Sequence, residues 1–197
     1  MIRLAIASAR GLLLGLLLMA SAGVAAAGAQ ALPGDSVYQL SIPMLDQDGN
    51  AFDFASLQGK PRLVTMFYTS CPYMCPLIID TVRMTERELD ASQRAKLSVL
   101  LVSFDAKRDD PATLKAQADK RKIDTSRWTL ARTDAPNVRT LAAILGIQYR
   151  QLDDGEFNHS SVLILLDASG RIAARSETMG KTDPAFISEI KRVLGDP

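Results

Sequence analysis

Arg62-Leu63-Val64-Thr65-Met66-Phe67-Tyr68-Thr69-Ser70-Cys71-Pro72-Tyr73-Met74-Cys75-Pro76 carries a change of periodicity that organises the rest of the chain. Residues 62 to 68 are apolar, β-branched and aromatic, and read as a buried strand. Beyond the prolines, Ile78, Val82 and Leu89 fall on one side of a helical wheel, which predicts a helix from about residue 76 to 91. Both cysteines of the chain, Cys71 and Cys75, therefore stand where a strand hands over to a helix. The first N–H groups of a helix lack partners, and its dipole is positive there. Both effects are expected to favour thiolate over thiol, and the thiolate is the form that attacks disulfides and binds metals.

The separation of four residues adds a geometric condition. On or just before a first helical turn, residues i and i+4 share a face, so the two sulfurs can meet one soft cation or close a disulfide. A disulfide across so short a loop constrains little of the unfolded chain, because the entropic gain grows with loop length. A purely structural staple is therefore a poor use of the pair.

Working outward, residues 36 to 42 read as a strand. Asp46-Gln47-Asp48-Gly49-Asn50 then turns the chain into Ala51-Phe52-Asp53-Phe54, an N-terminal β-hairpin. Residues 97 to 104 are almost continuously apolar, as expected of a central strand covered on both faces. Asp110-Pro111 marks an N-cap and first turn, and Trp128-Thr129-Leu130 a short strand. Asp134 caps a helix with Val138, Leu141, Ala142 and Leu145 inward, stopped by Gly146. Residues 147 to 151 are a candidate strand. Residues 161 to 166 form a strong buried strand that returns through Asp167-Ala168-Ser169-Gly170 as a hairpin, and Asp183-Pro184 opens a last helix. Right-handed crossovers make 62–68 and 97–104 parallel, with the terminal hairpin antiparallel beside them. The fold class expected is α/β: a thioredoxin-like three-layer arrangement with a central mixed sheet.

The totals agree with one such domain. The chain has 197 residues, enough for a single core plus a targeting segment. Residues 1 to 29 carry Arg3 and Arg10, a Leu-rich stretch from residue 11 to 19, and small residues with Ala25-Ala26-Ala27 and Ala27-Gly28-Ala29. They read as a signal peptide, or as a membrane anchor if uncleaved, leaving 30–197 as the folded domain. An exported domain lies outside the cytoplasm, where disulfides form. Taking Arg3 and Arg10 from 23 basic residues leaves 21 against 22 acidic, so charge gives no reason to expect nucleic acid or an anionic membrane surface as partner. Membrane contact is expected only through an uncleaved N-terminal segment.

His159 is the only histidine, within Asn158-His159-Ser160. By itself it would read as a hydrogen-bonded turn residue. However, it precedes a buried strand that can lie beside the strand feeding Cys71, and that places it near the cysteine pair. Closed zinc sites usually take four protein ligands, and Cys71, Cys75 and His159 supply three. Two thiolates and an imidazole suit copper as Cu(I) or Cu(II). Met74 is either an additional soft ligand or, more ordinarily, a side chain packing at the helix start. Tyr73 reads as a cover rather than a ligand. Asp105 and Asp109 read first as capping or turn residues before the next helix, and second as groups supporting the ligands.

Thr69-Ser70-Cys71-Pro72-x-x-Cys75-Pro76, Ser103-Phe104-Asp105 with Asp109 and Pro111, and Asn158-His159-Ser160 before an apolar strand ending in Asp167-x-x-Gly170-Arg171 together resemble the Sco/SenC family of copper-binding assembly proteins. The resemblance covers roughly residues 36 to 195. It implies a thioredoxin-like fold and a copper site made by Cys71, Cys75 and His159. It also implies a periplasmic copper chaperone, or one on the outer face of the bacterial inner membrane. Such a protein receives copper from a periplasmic donor and helps assemble the copper centre of cytochrome c oxidase. Its partner would be the copper-bearing subunit or another copper-acceptor protein. The chain departs from many relatives in having Tyr73 and Met74 between the cysteines where an acid follows the first Cys-Pro, and Asn158 where Asp is common.

Two alternatives share the fold. In a thiol–disulfide oxidoreductase, Cys71 and Cys75 would be the catalytic redox pair, reducing the cysteines of a copper acceptor. Thioredoxin-type enzymes usually set two residues between the cysteines, and here there are three. A peroxidase of the peroxiredoxin kind usually has Thr three residues before its reactive cysteine. Here that position is Tyr68, with Thr69 one residue too close.

Overall fold

The computed structural model describes residues 31–71 and 74–195; the leader and Tyr73, for both of which the sequence raises expectations, lie outside these. Its core is a seven-stranded mixed sheet in the order β2-β1-β5-β4-β3-β8-β9, made of β1 (Pro43–Asp46), β2 (Ala51–Asp53), β3 (Arg62–Phe67), β4 (Ser98–Ser103), β5 (Trp128–Arg132), β8 (Leu163–Leu166) and β9 (Ile172–Ser176). β6 (Tyr149–Gln151) and β7 (Phe157–His159) pair only with each other. Helices α1 (Met74–Arg87), α2 (Ala91–Lys96), α3 (Pro111–Lys120), α4 (Ala135–Ile144) and α5 (Pro184–Val193) complete the unit.

Every residue of β3 and β4 is buried. A strand whose two faces are both buried must be covered by a layer on each side, which is why these segments read as continuous apolar runs rather than alternating ones. β3 pairs parallel with β4 from Arg62↔Ser98 to Phe67↔Ser103, and β4 pairs parallel with β5. β8 runs antiparallel to β3, with Val64 opposite Ile164. This is the mixed, thioredoxin-like sheet expected, with its antiparallel terminal hairpin β8–β9.

The caps explain the helix starts. Asp90, Asp110, Asp134 and Asp183 each accept a backbone N–H of the following turn, and Pro111, Pro136 and Pro184 occupy the first turns, where a missing N–H costs nothing.

Three local expectations are corrected. The first strand is Pro43–Asp46, not 36 to 42: Ser36 accepts the Tyr38 N–H and caps a 3-10 turn, Val37–Gln39, which tucks Tyr38 against Gly170. The helix expected to about residue 91 stops at Arg87, because Asp90 forms a reciprocal capping box with Gln93 and begins α2. The candidate strand at 147 to 151 exists from Tyr149 but leaves the main sheet to pair with Phe157–His159.

Topology places the site. β3 and β4 end side by side at Phe67 and Ser103, and in parallel sheets the crevice beyond the carboxyl ends of the strands is where ligands bind. β8 runs the other way beside β3, so the segment before it reaches that same end. The cysteine loop, the loop after β4 and the β6–β7 hairpin therefore converge.

Candidate metal centre

Cys71 lies in the loop after β3, and Cys75 is the second residue of α1. They are thiols, with no disulfide between them. The Tyr68 N–H donates to Cys75 Sγ at 3.3 Å, and the Cys75 N–H donates to Cys71 Sγ at 3.4 Å. Each sulfur thus receives a backbone donor at the strand-to-helix junction. The two Sγ atoms and one ring nitrogen of His159 all lie within 4.8 Å of one another. The three residues expected from the sequence to act together are brought together.

Burial divides the pair. Cys75 is 0% exposed and Cys71 8%. The expectation that the helix start makes both thiolates readily available fails at Cys75. Its thiol is pushed well above the ordinary range, because loss of solvent outweighs the N–H from Tyr68, and proximity to Cys71 adds to the rise. A helix terminus supplies partial charge, and here desolvation is the larger effect.

His159 ends β7, opposite Tyr149. Its ring lies 4.9 Å from Phe104 and 5.9 Å from Tyr68, centroid to centroid. Phe104 stacks on Tyr149 at 5.0 Å, and Tyr68 meets Phe157 edge-on at 5.2 Å. These aromatics fix the imidazole's position. Nδ1 lies 3.2 Å from the Ser160 carbonyl. A carbonyl can only accept, so the neutral ring carries its proton on Nδ1 and leaves the Nε2 lone pair for a ligand, an arrangement common to metal-binding histidines. Burial lowers the His159 pKa, partly offset by the Ser160 contact, so the ring is neutral near pH 7.

Beneath the cysteine loop lies Asp109, 1% exposed. Its carboxylate accepts the Thr69 N–H at 3.0 Å, the Thr69 hydroxyl, and the Ser103 hydroxyl at 2.5 Å. It therefore ties the chain just before Cys71 to the end of β4. For this residue the cap half of the reading fails, since the cap of α3 is Asp110, while the turn half holds, its N–H donating to the Asp105 carbonyl at 3.1 Å; its carboxylate reaches the segment before Cys71. For Asp105 the turn reading holds, since it accepts the N–H groups of Lys107 and Arg108. In the sequence Tyr68 reads as the end of the buried strand and as a misfit to the peroxidase pattern. In the fold its ring and hydroxyl bracket the hairpin, meeting the Phe157 backbone at 3.4 to 3.5 Å. The only signal in the sequence was an aromatic at a strand end beside the cysteines.

A cavity of about 500 Å³ opens over the group, lined by Tyr68, Ser70, Cys71, Met74, Glu156, Phe157, Asn158 and His159. Met74 stands at the start of α1 and is 37% exposed, on the cavity lining. Chemically, the arrangement offers two sulfurs and an imidazole nitrogen on a half-buried floor. That donor set fits a soft or borderline cation such as copper, and it leaves room at the mouth for an exchanging group.

The sequence profile of the SCO1/SenC family matches residues 34–195. The chain is 30% identical over 157 residues to a Stutzerimonas stutzeri protein named as copper-binding, covering 78% of this chain and 73% of that one. The structure of Bradyrhizobium japonicum ScoI with copper bound superposes with a TM-score of 0.62 at 23% identity, over 78% of this chain and 98% of that one. BsSco, described as having a disulfide switch and as a member of the Sco family of cytochrome c oxidase assembly proteins, gives a TM-score of 0.67 at 18% identity, over 79% and 92%. At these identities the two structures establish the shared fold.

Proposed function

Since the chain belongs to the SCO1/SenC family, we propose that it is a copper chaperone whose Cys71, Cys75 and His159 together hold one copper ion. The observation that carries this reading is the meeting of all three donor atoms within 4.8 Å. Support comes from the copper-binding name of the Stutzerimonas relative and the copper-bound ScoI structure. The cargo would go to the copper centre of cytochrome c oxidase, in keeping with the description of BsSco, and would come from an upstream donor. The apolar leader with Arg3 and Arg10 supports work in the periplasm or on the outer face of the inner membrane.

The chain's own residues have separable roles. Cys71 and Cys75 supply sulfur once their protons are displaced. His159 supplies a neutral nitrogen held by Phe104, Tyr68 and the Ser160 carbonyl. Asp109 fixes the loop that carries Cys71. An oxidised pair offers no thiolate, so loading depends on the cysteines being reduced.

The test is an anaerobic Cu(I) titration of the reduced full chain beside His159→Ala. One tight equivalent is expected, weakened by about a hundredfold or more in the variant, since even supporting residues shift metal affinity by 10–100-fold. Equal affinity in the two chains would sink the three-ligand site.

The unequal burial of the cysteines favours a second reading, thiol–disulfide exchange with a copper acceptor. Cys71 is the one open to the cavity, so it would attack, and Cys75 would resolve the mixed disulfide. Rapid reduction of an acceptor disulfide by metal-free chain, lost in Cys71→Ser, would favour it over carriage.

A further inference from the structure

The mouth of the cavity is built differently from its floor. Of the described residues lining it, the exposed ones are Ser70, Met74 and Asn158, while Cys71 is buried. Cys75, fully buried, does not line the cavity. Ser70 and Asn158 offer hard oxygen and amide groups. The Met74 thioether is the one soft donor in the exposed set. Met74, the first residue of α1, lines the same cavity as Cys71 and directly precedes Cys75 in the chain. Its exposure needs a reason, because only it and Leu40 are exposed large hydrophobics among the described residues.

We propose that Met74 is an exchange donor for Cu(I) at the entrance of the site, one that speeds loading and unloading without setting the final affinity. This rests on the copper reading above and deepens it. A thioether is neutral and polarisable and carries no proton, so it can take Cu(I) from an incoming complex by simple ligand replacement. In the next step two S–H bonds break, at Cys71 and Cys75, and the two protons pass to water. Two S–Cu bonds and one bond from His159 form as the Met74 bond is released. No electron moves, and copper stays Cu(I) throughout. Unloading is the reverse. Thiolates bind Cu(I) more strongly than a thioether does, so transfer inward is downhill and Met74 does not compete for the resting ion.

The test compares the reduced, anaerobic full chain with Met74→Leu, a change of similar volume at an exposed position, with thermal unfolding checked to match. Cu(I) is supplied as its bicinchoninate complex, and stopped-flow absorbance follows loss of that complex. Unloading is followed by adding excess bicinchoninate to the loaded chain. Both rates are expected to fall about tenfold or more in Met74→Leu, with equilibrium affinity unchanged within about threefold. Rates within about twofold of each other in the two chains would overturn the proposal. So would an affinity loss of about tenfold with unchanged loading rate, because that is the behaviour of a permanent ligand. If the wild-type chain takes no copper from the complex while His159→Ala behaves identically, the copper reading itself fails, a result distinct from either of these.

Discussion

Replacing Asp109 by Ala should both destabilise the chain and loosen its copper site. The carboxylate is 1% exposed and accepts three donors: the Thr69 N–H, the Thr69 hydroxyl and the Ser103 hydroxyl. Hydrogen bonds to a charged group are worth about 1.5–3 kcal/mol each, which for three gives a ceiling of about 4.5–9 kcal/mol. The hydroxyls can rotate toward other acceptors, and deleting Asp109 also removes the cost of burying its charge. The expected loss is therefore about 2–4 kcal/mol, mostly from the Thr69 N–H and any hydroxyl left without an acceptor, each costing about 1–3 kcal/mol. Asp109→Asn retains one acceptor oxygen but points N–H groups at donors, so it should fall between Ala and wild type. Urea unfolding followed by fluorescence reads this directly, because Trp128 is the only tryptophan and is buried. Thr69 is two residues before Cys71, so copper affinity should drop in the same variants. A loss under about 1 kcal/mol would refute the accounting, since that is the worth of one ordinary hydrogen bond. Full destabilisation with unchanged copper affinity would refute the positioning role while leaving the structural one.

Copper affinity should rise with pH through the neutral range. Burial holds the Cys75 proton on well above the ordinary thiol range, so copper must displace it, and affinity gains about tenfold per pH unit for each proton released. His159 adds competition only below its ordinary value of 6.5, since its pKa is lowered. Titrations in buffers of differing ionisation enthalpy would count the protons, and affinity flat across neutrality would contradict the ligand set. The same shift predicts a stability effect in the metal-free chain. The unfolded histidine binds its proton first as pH falls, so the folded state loses stability as pH drops through about 6.5. Glu86→Ala should cost about 2–4 kcal/mol, because it strips partners from Arg127 and the Trp128 indole N–H. Copper affinity should be unchanged in that variant, and a parallel loss would mean that the site responds to global stability rather than to its own supports.

What could be read from the sequence follows from how local each cause is. β3 and β4 were legible because complete burial writes a continuous apolar run. The caps at Asp110, Asp134 and Asp183 were legible because a cap acts on N–H groups two or three residues away. The convergence of Cys71, Cys75 and His159 was legible from strand order, which set the histidine segment beside β3. The 3-10 turn at Val37–Gln39 was not, since it depends on Ser36 bonding the distant Ser169 carbonyl and on Tyr38 packing at Gly170. There a Cβ would meet the Tyr38 ring at 2.4 Å, so the turn and the glycine explain each other across the fold. The reach of the Asp109 carboxylate to Thr69 is hidden from the sequence for the same reason. An Asp before Asp-Pro looks like a cap, and only the adjacency of β3 and β4 ends brings it under Thr69.

The fate of the Cys75 proton bears on which of the two proposed chemistries the site favours. Desolvation opposes a bare thiolate at a sulfur with no exposure, and two such charges near each other are opposed further. A bound monovalent cation changes that balance, since it leaves the cluster of two thiolates and a neutral imidazole with a single net negative charge. Two backbone N–H groups already point at the sulfurs to meet that charge. The environment that holds back an unliganded nucleophile thus accepts a metal-bound one. An exchange enzyme needs the reverse, a resting thiolate ready to attack. Only Cys71, at the edge of the cavity, is placed for that role. On these grounds the burial of Cys75 favours the proposed carriage of copper over the proposed exchange, for which Cys71 at the cavity lining is the candidate attacking sulfur when the site is empty.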